Sequence, residues 1–89
     1  MTRTLVTGSE AACGTDTAGS STFGSATVVR LVNTTSTARV VTVAASVGGS
    51  TVGTFTLLGN TAEFVDKKPT QAIFAAHASV LGTSVGYAN

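Results

Sequence analysis

Charge is scarce in this chain. Its 89 residues include five basic and four acidic side chains, 10% of the total, with a formal net charge of +1; an ordinary globular domain is roughly a quarter charged. A nucleic-acid binder needs a basic stripe to release phosphate counterions, so no nucleic-acid partner is expected. There is no tryptophan and one tyrosine, Tyr87. A carbohydrate-binding module normally exposes aromatic rings that stack on sugars, and that class stays only as an alternative. The single cysteine, Cys13, excludes an internal disulfide and a multi-thiolate metal site. No apolar run approaches the ~18 residues of a membrane span. Met1-Thr2-Arg3-Thr4-Leu5-Val6 is too poor in apolar residues for a signal-peptide core. The expectation is a soluble chain, made in the cytoplasm, with no membrane partner and no cofactor.

With charge this sparse, much of the surface must consist of Thr, Ser, Asn, Gly and Ala. Such a surface repels its neighbours weakly, because colloidal separation needs net charge away from zero. This suits a protein that assembles in repeated copies. The length leaves room for a single core.

Residues 1 to 26 and 27 to 89 read differently. Leu5 and Val6 suit a short strand, but residues 8 to 26 are rich in Gly, Ser, Ala and Thr, with Phe23 the one large apolar side chain. Too little can be buried there for independent folding, so the segment is either a long surface loop or an extended arm ordered by a partner. As an arm, residues 1 to 22 could be removed with the sandwich left folded.

From Thr27 a two-residue period takes over. Val29 and Leu31 share one face and Val28, Arg30 and Val32 the other, so Arg30 needs solvent or a carboxylate. Asn33 to Thr37 supplies turn chemistry, and Arg39 to Ala44 reads as the hairpin partner. Gly48-Gly49 permits a reversal, and Thr51 to Leu58 completes a meander with Phe55 and Leu57 on its core face. Gly59-Asn60 turns into a fourth strand, Thr61 to Asp66, which Pro69 terminates. Gln71 to Ala78 fits a strand or a short helix, and the strand is preferred; Ser79 to Tyr87 closes the set. The fold expected is all-β: a small antiparallel β-sandwich or barrel-like domain with an extended N-terminal arm or loop.

No side chains converge on chemistry, so no catalytic or metal-binding residue is assigned. His77 has no Cys or Asp partner nearby in sequence and reads as a turn residue. Cys13 has Glu10 and Asp16 as its nearest charges, which disfavour a reactive thiolate. Glu63 and Asp66, three apart on a strand, face opposite ways. Asn33-Thr34-Thr35 matches the glycosylation sequon, which carries little without a secretion signal. Asp66-Lys67-Lys68-Pro69 is the one charge cluster, either a solvated turn or an exposed basic corner that docks on an acidic patch.

The succession from Thr27-Val28-Val29-Arg30-Leu31-Val32-Asn33 through Ala38 to Val43 and Gly53 to Leu57, ending in Ala62 to Asp66 and Lys67-Lys68-Pro69-Thr70, resembles small virion structural proteins of tailed bacteriophages, notably cyanophages. The resemblance covers residues 27 to 87. It implies a non-enzymatic virion component: a capsid decoration (cement) protein on the lattice of the major capsid protein, or else a tail or neck subunit. Its partners would be the major capsid protein or other virion proteins, with the chain present as a homo-oligomer or in repeated copies. Arg3, Leu5, Phe23, Arg39, Lys67, Lys68 and Pro69 are the candidate partner interface.

Overall fold

The structure, a computed structural model, describes residues 3–88, with side chains described for residues 4–86. Among these residues it contains β-strands and no helix: β1 (Arg3–Val6), β2 (Ala11–Ala12), β3 (Val28–Asn33), β4 (Arg39–Ala44), β5 (Thr51–Leu57), β6 (Ala62–Asp66), β7 (Ala72–Ala75) and β8 (Val80–Ala88). They form two antiparallel sheets. One has the order β1-β8-β3-β6, with β2 also on β8; the other has the order β5-β4-β7.

The pattern of β3 shows why the strands form. Val29, Leu31 and Asn33 are buried, while Val28, Arg30 and Val32 alternate with them at the half-exposed positions, as a pleated strand covered on one face demands. Val29 and Leu31 meet Val41 of β4, Leu57 of β5, Ile73 and Ala75 of β7, Val80 of β8 and Cys13 in one buried cluster. Each fully buried Val, Leu or Ile there contributes about 1.5–3 kcal/mol relative to exposure. Both sheets supply this cluster, so neither has a core without the other.

The expected meander of three strands is not what forms. β4 and β5 do make a hairpin, with Arg39 opposite Leu57 and Thr42 opposite Thr54, but β3 pairs with β6 and β8 and not with β4. The chain from Asn33 to Arg39 therefore crosses from one sheet to the other, as do the links β5–β6, β6–β7 and β7–β8. The sequence signal failed here because turn chemistry says that the chain reverses, not which sheet receives the next strand. Asn33 supplies the reason. It is fully buried and donates from Nδ2 to the carbonyls of Thr37 (2.7 Å) and Leu57 (3.1 Å), tying the crossing to the edge strand of the opposite sheet.

Residues 8–26, for which arm and loop both stood open, lie along the body, with β2 paired to β8. Ser21 exchanges backbone hydrogen bonds with Ile73 (2.8 and 3.0 Å), and Ala75 N–H donates to Gly14 O (3.1 Å), covering the outer edge of β7. With this Ser21 bridge standing where a fourth strand of the second sheet would lie, the two orders become β1-β8-β3-β6 and bridge-β7-β4-β5, the strand order of a double Greek-key jelly roll. Cys13 is a core member and Phe23 packs against the core. Deleting residues 1 to 22 is therefore expected to unfold the domain rather than leave it intact, and circular dichroism of the truncated chain checks this.

Gly82 on β8 is required by that packing. A Cβ there would lie 2.6 Å from Phe23 Cζ and 2.9 Å from Leu31 Cδ2, well inside van der Waals contact, so the missing side chain is the seat of the Phe23 ring.

Candidate functional site

The candidate interface residues whose side chains are described do not gather into one patch. β3 spans roughly 17 Å from Val28 to Asn33 at ~3.3 Å per residue and separates them. Lys67 is tied to its beginning, since Lys67 N–H donates to Thr27 O (2.8 Å). Arg39 sits at its far end, opposite Leu57, whose carbonyl receives the amide of Asn33. Leu5 is exposed on β1, while the side chain of Arg3 lies outside the described residues. Phe23 is half-buried against Gly82 and Leu31, and Lys68 and Pro69 are exposed. Arg39 is half-buried, and its Nε is a buried donor without a hydrogen-bond partner.

Lys67 is the main correction. A solvated turn or an exposed basic corner was expected at Lys67-Lys68, yet Lys67 is only 7% exposed. Its Nζ donates to the carbonyl of Ala26 (2.6 Å) and, more loosely, to that of Lys68 (3.4 Å). Burial pulls its pKa below the ordinary 10.5, because the charged form loses solvation and gains only carbonyl dipoles. Lys67 is a clamp, and Lys68 alone remains at the surface.

What Lys67 clamps is an unusual piece of backbone. Phe23, Gly24 and Ser25 have φ of 53°, 70° and 60°, three consecutive left-handed residues closed by Ala26 N–H donating to Thr22 O (3.2 Å). Left-handed geometry costs about 1–2 kcal/mol for each residue with a Cβ. Ser21 Oγ accepts from Phe23 N–H (3.0 Å) and Thr22 Oγ1 from Ser25 N–H (3.3 Å), which offsets part of that cost. The turn walls an open groove of about 690 Å³, lined by Thr7, Ser9, Phe23, Ser25, Thr27 and Ser84 among others, none of the lining residues titratable. The groove offers hydroxyls and one aromatic ring and no group for acid–base work. Sequence reading missed this turn because only Gly24 advertises a left-handed residue; Phe23 and Ser25 adopt it under tertiary constraint.

The remaining reactive residues have structural roles. His77 Nδ1 accepts the backbone N–H of Ser79 (3.0 Å) and lies 3.0 Å from its hydroxyl, so the ring caps the β7–β8 turn. Arg30, expected to find solvent or a carboxylate, approaches Glu10 at 3.9 Å across a half-exposed surface; a pair of this kind contributes ~0–1 kcal/mol. Among the described residues no three His, Cys, Asp or Glu side chains gather where they could hold a metal ion. No helix there is long and apolar enough to cross a membrane.

Cys13 is buried, and its thiol is pushed up to about 11 by loss of solvation, only partly countered by a backbone hydrogen bond. The neighbouring carboxylates invoked from sequence are not the cause. Between pH 9.0, the thiol's ordinary value, and about 11, the unfolded chain releases this proton while the folded chain keeps it, so this group lowers stability as pH rises through that window. Lys67 acts in the opposite sense, holding its proton less tightly when folded. The stability difference between wild type and Cys13→Ala is thus expected to narrow above pH 9, and denaturant titrations at pH 8 and 10.5 measure it.

Comparison with family models, with curated proteins and with solved structures finds no match to this chain.

Proposed function

We propose that this chain is a non-enzymatic structural subunit of a tailed-bacteriophage virion, a decoration protein bound in many copies to the lattice of the major capsid protein. The observation that carries the assembly reading is the charge-free stretch from Val40 to Ala62, which includes β5 and the hairpin of the second sheet and exposes Val40, Val47, Val52 and Leu58. Exposed apolar residues grouped without intervening charge fit a contact surface better than a solvated one. The jelly-roll strand order, an architecture that capsid and lectin domains use, supports the virion reading by analogy, and the resemblance of residues 27 to 87 supplies its specific form. Jelly rolls serve many functions, so copy number decides. Quantitative mass spectrometry of purified particles is expected to find this chain near-stoichiometric with the major capsid protein. A small symmetric number would move it to the tail or neck, and its absence from particles would end the virion reading.

A further inference from the structure

The two sheets have four edges, and three of them are managed. β7 is covered by Gly14 and Ser21. β6 carries Glu63 and Asp66 and runs into Lys67 and Pro69, and the remaining edge is divided between the short β1 and β2. Short strands, charge, proline and covering segments are the usual means of keeping sheet edges from pairing with other chains. β5 has no charge, proline or covering segment, and its single irregularity is a register shift at Val52, where Gly53 and Thr51 face Val43 and Ala44. It is the longest edge strand, Thr51–Leu57. Among the described residues, no backbone hydrogen bond joins Thr51–Thr56 to any segment beyond its neighbours in the sheet.

We propose that β5 pairs antiparallel with β5 of a second copy of this chain, about a two-fold axis at Thr54. This deepens the assembly reading above and rests on it. The occupant is chosen by charge and by fit. An isologous contact sets a patch against itself, so any charged residue near the axis would meet its own like; residues 40–62 contain none. The register follows from parity. Residues directly opposite must share a sheet face, so within the regular run 53–57 the axis passes through a residue, and Thr54 is the one that sets Phe55 against Gly53. Centred there, Thr54 faces Thr54 of the other copy, and Phe55 faces Gly53. Gly53 has open space where its Cβ would be, with no atom within 4 Å, and Phe55 is only half-buried. Each ring can therefore fill the gap beside the other copy's glycine, a pairing that stabilises edge glycines. The outcome is a continuous six-stranded sheet, β7-β4-β5-β5-β4-β7, with Val52, 58% exposed in the single chain, flanking the junction.

The test is sedimentation equilibrium of the full chain beside Thr54→Lys and Thr54→Glu, whose unchanged thermal unfolding at low concentration verifies the fold, since Thr54 is exposed. Wild type is expected to dimerise. Each variant alone places like charges opposite each other and is expected to raise the dissociation constant about tenfold or more, whereas an equimolar mixture of the two restores dimers. A monomeric wild type overturns the proposal; so does a dimer indifferent to both substitutions, or a mixture no tighter than its parts. The copy-number measurement is independent: a dimer absent from particles removes the virion reading alone, and a monomer abundant in particles removes self-pairing alone.

Discussion

Replacing Asn33 with alanine is expected to cost the domain about 3 kcal/mol. The amide is fully buried and uses both ends. Nδ2 donates to Thr37 O and Leu57 O, and Oδ1 accepts from Thr35 N–H (3.1 Å) and from Thr35 Oγ1 (2.8 Å). Truncation leaves carbonyls on two different elements without this donor, and an unsatisfied buried group costs about 1–3 kcal/mol. At ~4–8 °C per kcal/mol for a domain of this size, the melting temperature should fall by roughly 12–24 °C. Asn33→Asp should be nearly as damaging, because it keeps the acceptor and loses the donor. Differential scanning calorimetry of both variants checks this, and a loss below ~1 kcal/mol would mean that the crossing is held elsewhere. The same burial predicts that the Asn33-Thr34-Thr35 sequon is not glycosylated in the folded chain.

Lys67→Glu is expected to destabilise by about 3 kcal/mol or more, while Lys68→Glu, one residue along, changes stability by less than ~0.5 kcal/mol. The first substitution turns a buried donor into a carboxylate facing the Ala26 and Lys68 carbonyls, and uncompensated buried charge is among the few single changes with effects this large. The second alters an exposed side chain. Lys67→Met separates the contributions: it keeps most of the apolar stem and loses the hydrogen bond to Ala26, so it should fall between the two. Urea titrations of the three variants give the ranking. Docking through this corner is properly probed by Lys68→Glu alone, since any effect of Lys67→Glu on binding would be confounded by loss of the turn beneath it.

These residues also show where sequence reading succeeds and where it stops. The alternation of Val29 with Arg30 and Leu31, or of Phe55 with Thr56 and Leu57, is a local consequence of the strand's two-residue period, so strand existence was legible for β3 to β6 and the core face for β3 to β5; in β6 it is Val65 that packs inward while Phe64 is 45% exposed. Strand partnership was not. Nothing near Asn33 in sequence says that its amide reaches Leu57, 24 residues on, and that contact accompanies the crossing where a hairpin was expected. Lys67 misled for the same reason. A lysine pair before proline has the composition of a solvated turn, and only the arrival of Ala26, 41 residues away, turns one of the two inward. The low-complexity segment gave the weakest signal, because its small side chains fit against many surfaces; its one distinctive residue, Phe23, is held by a vacancy at Gly82 on a strand near the other end of the chain.

The position of β8 governs how this domain can come into being on the ribosome. It is the last of the strands among the described residues, yet it pairs with β1, β2 and β3. Until residues 80–88 emerge, these three strands lack their shared neighbour, and the five-stranded sheet cannot form. Folding is therefore a late event, dominated by contacts distant in sequence, of the kind that take milliseconds to seconds. A ribosome-stalled chain ending before Val80 would present unpaired Val- and Thr-rich strands to its neighbours, which makes nascent copies on one messenger RNA a natural target for chaperones.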